Sequence, residues 1–148
     1  LDCDAHGGNG TEDFIKRLPN LRQITINGSS FGCTTTTESV CVTLRPVAND
    51  FAPYLNALDS AFCLIDNWKP DLVIYQAGAD PHIDDPLGML EMTTDQMRER
   101  DRYVFCSLKE RGLPVMFVLA GGYQEPIKKR LVPLHVNTFE EAVRSFSA

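Results

Sequence analysis

Asp71-Leu-Val-Ile-Tyr75, running into Gln76-Ala-Gly-Ala-Asp80-Pro-His82-Ile-Asp84-Asp85-Pro86-Leu-Gly88, is the stretch whose reading decides the fold. Its first residues form an apolar, partly β-branched run, the pattern of a buried strand. The chain then breaks into a loop of Gly, Asp and Pro. A carboxylate at the end of a central parallel strand stands where open α/β folds assemble their sites. Asp80 is that carboxylate. Two other segments carry polar chemistry at strand ends: Leu1-Asp2-Cys3-Asp4-Ala5-His6 and Ala120-Gly121-Gly122-Tyr123.

Outward from this stretch the pattern is regular. Before it, Phe51, Leu55, Leu58, Phe62 and Ile65 form a helical stripe, capped at Asn49 or Asp50 and stopped by Pro70. Residues 22–27 contain the β-branched Ile24-Thr25-Ile26, and residues 40–44 read as another short strand. Between them, residues 28–37 are a Gly, Ser and Thr loop. Thr11 is expected to cap a short helix with Glu12 and Asp13 in its first turn. Residues 1–6 alternate as a strand end, with Asp2, Asp4 and His6 on one side. Downstream, Thr93-x-x-Gln96 is a capping box that starts a helix through Leu108. Val115-Met-Phe-Val-Leu119 is a further apolar strand, and Thr138-x-x-Glu141 reads as the cap of a last short helix. Apolar strands alternating with amphipathic helices predict an α/β, three-layer architecture. A mainly parallel sheet is flanked by helices in a single domain over residues 1–148.

Apolar residues make up 43% of the chain and charged residues 23%, the balance of an ordinary globular domain. A net charge of −6 argues against a nucleic-acid partner. No apolar run approaches the ~20 residues of a membrane span, so no membrane partner is expected. The five cysteines are odd in number and form no C-x-x-C pair. Four lie in apolar surroundings, where a free thiol behaves as a small core residue. Read as free, they imply a reducing compartment and a cytoplasmic protein. The first residue is not Met and already belongs to a strand, so the chain is expected to be a piece of a longer protein.

Asp4-x-His6 offers a carboxylate oxygen and an imidazole nitrogen toward one point, and Asp80 from a neighbouring strand end would add a third donor. Catalytic zinc typically keeps three protein ligands and one open position. Alone, Asp-x-His is a weak signal, because a strand-end Asp often caps the next helix. Pro81 breaks the strand before His82, which is read as a loop residue near the site mouth rather than a ligand. Asp84 and Asp85 read as turn caps, Trp68 as packing and His135 as a core or strand-edge histidine. Gly7 to Gly10 lacks the Lys-Ser/Thr ending of a phosphate loop.

Three motifs come in order and at compatible separations: Asp2-Cys-Asp4-Ala-His6-Gly-Gly-Asn-Gly10-Thr11, Gly78-Ala-Asp80 with Asp85-Pro86-Leu87-Gly88, and Gly121-Gly122-Tyr123. Together they resemble the second half of the arginase/deacetylase superfamily, in its histone deacetylase and acetylpolyamine amidohydrolase branch. The resemblance implies that Asp4, His6 and Asp80 bind zinc. It implies that Tyr123 hydrogen-bonds the substrate carbonyl and then the oxyanion. It also implies a monovalent cation, K+, at Asp2, Thr25 and the backbone near Asp4 and His6. The expected function is hydrolysis of an N-acetyl amide, with an acetyl-lysine or small-molecule acetylpolyamine substrate.

The sequence departs from that pattern in two ways. The tandem His-His general base of the family lies upstream of the metal strand and is absent, so the chain alone is expected to be nearly inactive. Gly7 also stands where a second histidine is common. Two other readings remain. One is an arginase-like ureohydrolase, which would need a further aspartate where Gly7, Gly8 and Asn9 stand. The other is a non-catalytic binding module, with a homodimer formed through an open sheet edge.

Overall fold

The computed structural model describes residues 1–29 and 31–147. Ser30, within the expected Gly, Ser and Thr loop, and Ala148, at the end of the expected domain, lie outside the described residues. The elements are α1 (Asn9–Ile15), β1 (Gln23–Asn27), β2 (Ser39–Thr43), α2 (Ala52–Trp68), β3 (Val73–Gly78), α3 (Thr94–Glu110), β4 (Val115–Ala120) and α4 (Ile127–Phe146).

Strand β1 pairs with β2 and β3 with β4, both in parallel. Asp2 bridges the two ladders, pairing with Thr25 on one side and Gln76 on the other. Its N–H donates to the Ile24 carbonyl at 2.8 Å and its carbonyl accepts from Ile26 at 2.9 Å. Cys3 N–H donates to the Gln76 carbonyl at 3.1 Å, and Gln76 N–H to that of Leu1 at 2.9 Å. The first three residues are therefore the central strand, and the sheet runs β2, β1, this segment, β3, β4.

The strand expected over residues 1–6 is shorter than that, because pairing stops at Cys3. Asp2 Oδ1 accepts the Asp4 N–H and Asp4 Oδ1 accepts the His6 N–H, each at 3.0 Å. Side chains that satisfy the backbone two residues on bend the chain in place of a ladder. Asp4 and His6 are thus presented from a turn rather than from a strand face.

Alternate residues separate the two sheet faces. Cys3, Ile24, Ile26, Val73, Tyr75 and Ala77 join one buried core with residues of α2 and α3. Phe105 of α3, fully buried, lies at its centre, with ring centroids 5.5 Å from Tyr75, 5.3 Å from Phe117 and 6.3 Å from Phe146. On the opposite face Gln23 reaches the Gly8 carbonyl at 3.0 Å, whereas Ile74, Met116 and Val118 remain exposed. Among the described residues no helix is long and apolar enough to cross a membrane.

The capping box of α3 forms as read: Thr93 Oγ1 accepts from Gln96 N–H, and Gln96 Oε1 accepts from Thr93 N–H. Three other expectations are corrected. Helix α1 begins before Thr11, because the Gly8 carbonyl already accepts from Thr11 and Glu12. Helix α4 is one long element, and Thr138 sits inside it with its hydroxyl donating to Asp101 Oδ2 at 2.6 Å rather than capping a new start. Pro133 is carried within α4 on its exposed side, near exposed Lys129, where solvent can serve the carbonyl it leaves unpaired. Finally, the cysteines are not all free: Cys33 and Cys41 form a disulfide. Of the other three only Cys3 is buried, while Cys63 is exposed. The thiol argument for a reducing compartment therefore loses its footing.

Truncation of Phe105 should open a cavity between α3, β3, β4 and α4. Phe105→Ala is expected to lower the unfolding free energy by about 3–5 kcal/mol. Thr93→Ala, which removes only the cap, should cost about 1 kcal/mol. Urea denaturation followed by circular dichroism measures both, and equal losses would contradict this placement of the core.

Candidate metal centre

The turn after the central segment and the loop after β3 leave the same edge of the sheet side by side. Ala5 N–H donates to Asp80 Oδ1 at 2.9 Å, which ties them together. The His6 Nδ1 lies 3.1 Å from Asp4 Oδ1 and 2.9 Å from Asp80 Oδ2. One donor atom from each of Asp4, His6 and Asp80 falls within 4.8 Å of the other two. Asp80 is fully buried and His6 is partly open to solvent. The residues singled out in the sequence for a metal are thus brought together.

Two glycines keep this space clear. A Cβ on Gly121, whose φ is +24°, would lie 2.3 Å from Asp80 Oδ2 and 2.5 Å from Asp4 Oδ2. A Cβ on Gly78 would lie 2.8 Å from Asp4 Cα. Any larger residue at Gly121 would fill the cradle itself.

The electrostatics fit a cation. Burial, and next the charge of Asp4, push the Asp80 carboxyl up to about 7. Burial works against a charged His6, but the Asp4 hydrogen bond and the charges of Asp80 and Asp4 outweigh it and raise its pKa. Two carboxylates and an imidazole crowded together need positive charge, and borderline metals such as zinc take this donor set.

Asp2 and Thr25 lie next to this centre. Asp2 is buried, which pushes its carboxyl up to about 6. Thr25 is fully buried, and its hydroxyl oxygen accepts from Asn27 Nδ2 at 3.3 Å. Tyr123 is about half exposed on the Gly121–Gly122 turn. Slight burial and then the charges of Asp80, Asp4 and Asp85 raise its phenol pKa.

Two residues escaped the sequence reading. Asp85 does cap its turn, accepting from Leu87 N–H at 2.9 Å, but its other oxygen accepts from Tyr123 N–H at 2.7 Å. The turn was legible in Asp-Pro-Leu-Gly, and the long-range half had no local signal. Arg100 is fully buried and reaches the Cys3 and Gly78 carbonyls. Its signal was a charged residue on the buried stripe of α3, between Met97 and Val104. His82 is a strut, as expected for a loop residue: its Nδ1 accepts from Asp84 N–H and its Nε2 meets Thr94 Oγ1, each at 3.0 Å. His135 is on α4, beside a depression of about 300 Å³ lined also by residues Leu119 to Tyr123.

The histone deacetylase domain model matches residues 1–139. The chain belongs to this family. Within the histone deacetylase family it is similar to histone deacetylase 2 of Arabidopsis thaliana, at 30% identity over 84% of this chain and 33% of that protein. It is also similar to acetylpolyamine amidohydrolase 1 of Pseudomonas aeruginosa, at 27% identity over 83% of this chain and 38% of that protein. The crystal structure of an acetylpolyamine aminohydrolase from Burkholderia pseudomallei shares the fold, with a TM-score of 0.79 at 19% identity over 98% of this chain and 44% of that one. This deacetylase-family chain therefore spans about a third to two-fifths of the curated relatives it matches. Its three histidines, His6, His82 and His135, include no adjacent pair.

The raised carboxyls make a pH prediction. Folded Asp80 and Asp2 hold protons that the unfolded chain has already released above its ordinary carboxylate range. Their stabilising contribution is present below that range and is lost as pH rises through about 6 and 7. His6, also raised, acts in the same direction. In EDTA, the melting temperature should fall by roughly 5 °C or more between pH 5 and 8. Asp80→Asn should flatten the fall, and added Zn2+ should stabilise more at pH 8 than at pH 5. A metal-free chain that gains stability across this window would contradict the site's electrostatics.

Proposed function

We propose that this chain is the C-terminal part of a zinc-dependent deacetylase that hydrolyses an N-acetyl amide of the acetyl-lysine or acetylpolyamine type. The observation that carries the reading is the convergence of Asp4, His6 and Asp80 under Gly121, with Tyr123 on the same turn. Asp4, His6 and Asp80 would hold the zinc, which when bound supplies Lewis-acid polarisation of a carbonyl and acidifies water. The Tyr123 phenol would donate to the carbonyl oxygen as negative charge develops there. Its anchoring by Asp85 through the backbone leaves the ring free to meet substrate while fixing where it starts from. Asp2 and Thr25, with the backbone around Asp4 and His6, would hold K+ and relieve the buried Asp2 carboxylate.

Amide hydrolysis also needs a group that takes a proton from water and delivers it to the leaving amine. His82 is committed to Thr94 and Asp84, and His6 to the metal donors. The family resemblance puts the base on a tandem histidine pair outside this chain, and we take it from there. A ureohydrolase with two metals finds no further aspartate at Gly7-Gly8-Asn9.

One observation favours a second, non-catalytic reading. The edge strand β4 and the adjoining face expose Met116, Val118 and Leu119. Among the described residues β4 ends its sheet, and a binding module or homodimer would use this side.

The purified chain should bind one equivalent of Zn2+ by calorimetry, and Asp80→Ala should bind none. Acetate release from an acetyl-lysine peptide should stay at background with zinc present. Sustained zinc-dependent release by this chain alone would sink the external base. In the full-length enzyme, Tyr123→Phe should lower kcat by about 10²–10³-fold. An unchanged kcat would remove Tyr123 from the chemistry.

A further inference from the structure

Arg100 is a fully buried side chain carrying a full charge. Among the described residues one carboxylate faces it: Asp101 Oδ1 accepts from its Nε at 2.8 Å and lies 2.8 Å from its Nη2. Asp101 is itself held, accepting from the Tyr75 hydroxyl at 2.5 Å and from the Thr138 hydroxyl at 2.6 Å. The ion pair is therefore anchored to both β3 and α4.

The guanidinium also lies over the Tyr75 ring, 6.0 Å from its centroid, and its remaining hydrogen bonds go to the main chain. Its Nη1 donates to the Gly78 carbonyl at 2.8 Å and to the Cys3 carbonyl at 3.2 Å. Cys3 directly precedes Asp4, and Gly78 lies just ahead of Asp80 at the end of β3. Ladder bonds between the central segment and β3 have ended by this point, the last being Cys3 N–H to Gln76. One nitrogen thus takes over where the sheet stops and spans the two strands that deliver the two carboxylates. On the other side of the ligands the Ala5–Asp80 bond closes the frame.

Stability alone does not select an arginine here. A buried ion pair is often no more stabilising than well-packed apolar residues of the same volume. A planar fork that holds a carboxylate and two carbonyls at once is what neither an apolar residue nor a lysine supplies. Groups that orient metal ligands from behind commonly change metal affinity by about 10–100-fold when altered.

We infer that Arg100 is a positioning residue: its guanidinium fixes the main chain that presents Asp4 and Asp80 to the metal. The role rests on the metal-centre reading above.

The test compares Arg100→Lys with Phe105→Leu, a core variant chosen to match its loss of global stability. In the metal-free chain, the Ala5 amide should exchange with solvent about 10-fold faster in Arg100→Lys and at the wild-type rate in the control. Co2+ should bind about 10–100-fold more weakly to Arg100→Lys, with a changed d–d absorption spectrum, and normally to the control. Should Arg100→Lys not fold, Thr138→Val frees one oxygen of Asp101, and the same two readouts should move in the same direction by a smaller factor. Wild-type exchange and Co2+ affinity in a folded Arg100→Lys, or in Thr138→Val if it has to stand in, would overturn the role, as would equal changes in Phe105→Leu. Failure of the wild-type chain to bind Co2+ would instead overturn the metal centre. Ala5 exchange would then still decide whether Arg100 holds the two segments.

Discussion

The structure depends on a rung of hydrogen bonds at Asp2. This residue pairs with Thr25 on one side and Gln76 on the other, and with the bonds of Leu1 and Cys3 to Gln76 it joins the two parallel ladders into one sheet. A central parallel strand is usually an apolar run. Here it is a short segment that carries a carboxylate and runs straight into Asp4 and His6. The sheet's continuity and the position of Asp4 and His6 are consequently a single geometric fact. Whatever disturbs pairing at residues 1–3 displaces the site by the same motion.

Placing acidic groups at that junction is unfavourable in itself. Burial raises the energy of ionised Asp2 and Asp80, and the nearness of Asp4 adds to it at Asp80. The fold tolerates this because backbone donors point inward: Asp4 N–H to Asp2, His6 N–H to Asp4 and Ala5 N–H to Asp80. These bonds orient the oxygens without neutralising them. Buried carboxyls raised in this way cluster at functional sites.

Much of this could be read from the residues. The apolar run ending at Asp80, the α3 capping box and the stripe of α2 depend on local periodicity and capping, which sequence displays directly. The three motifs at strand ends singled out Asp4, His6 and Asp80, which the fold brings together. What could not be read depends on contacts between distant segments. The extra bond of Asp85 to Tyr123, the reach of Arg100 to Cys3 and Gly78, and the Cys33–Cys41 pairing are of this kind. Helix α4 was missed for a different reason. Pro133 and the capping pattern at Thr138 both signal a break, and burial of Leu134, Thr138 and Glu141 along one helical face overrode them.

The double engagement of Asp85 bears on how such a chain can diversify. One carboxylate binds the backbone of its own turn and the backbone of Tyr123, so the loop after β3 and the turn after β4 share a fixed spacing. An insertion or deletion between Asp80 and Gly88 would shift the phenol along with the loop. Variation in length has to be accommodated where no such tie exists. Relatives should therefore keep this loop's length and differ in the segments around it.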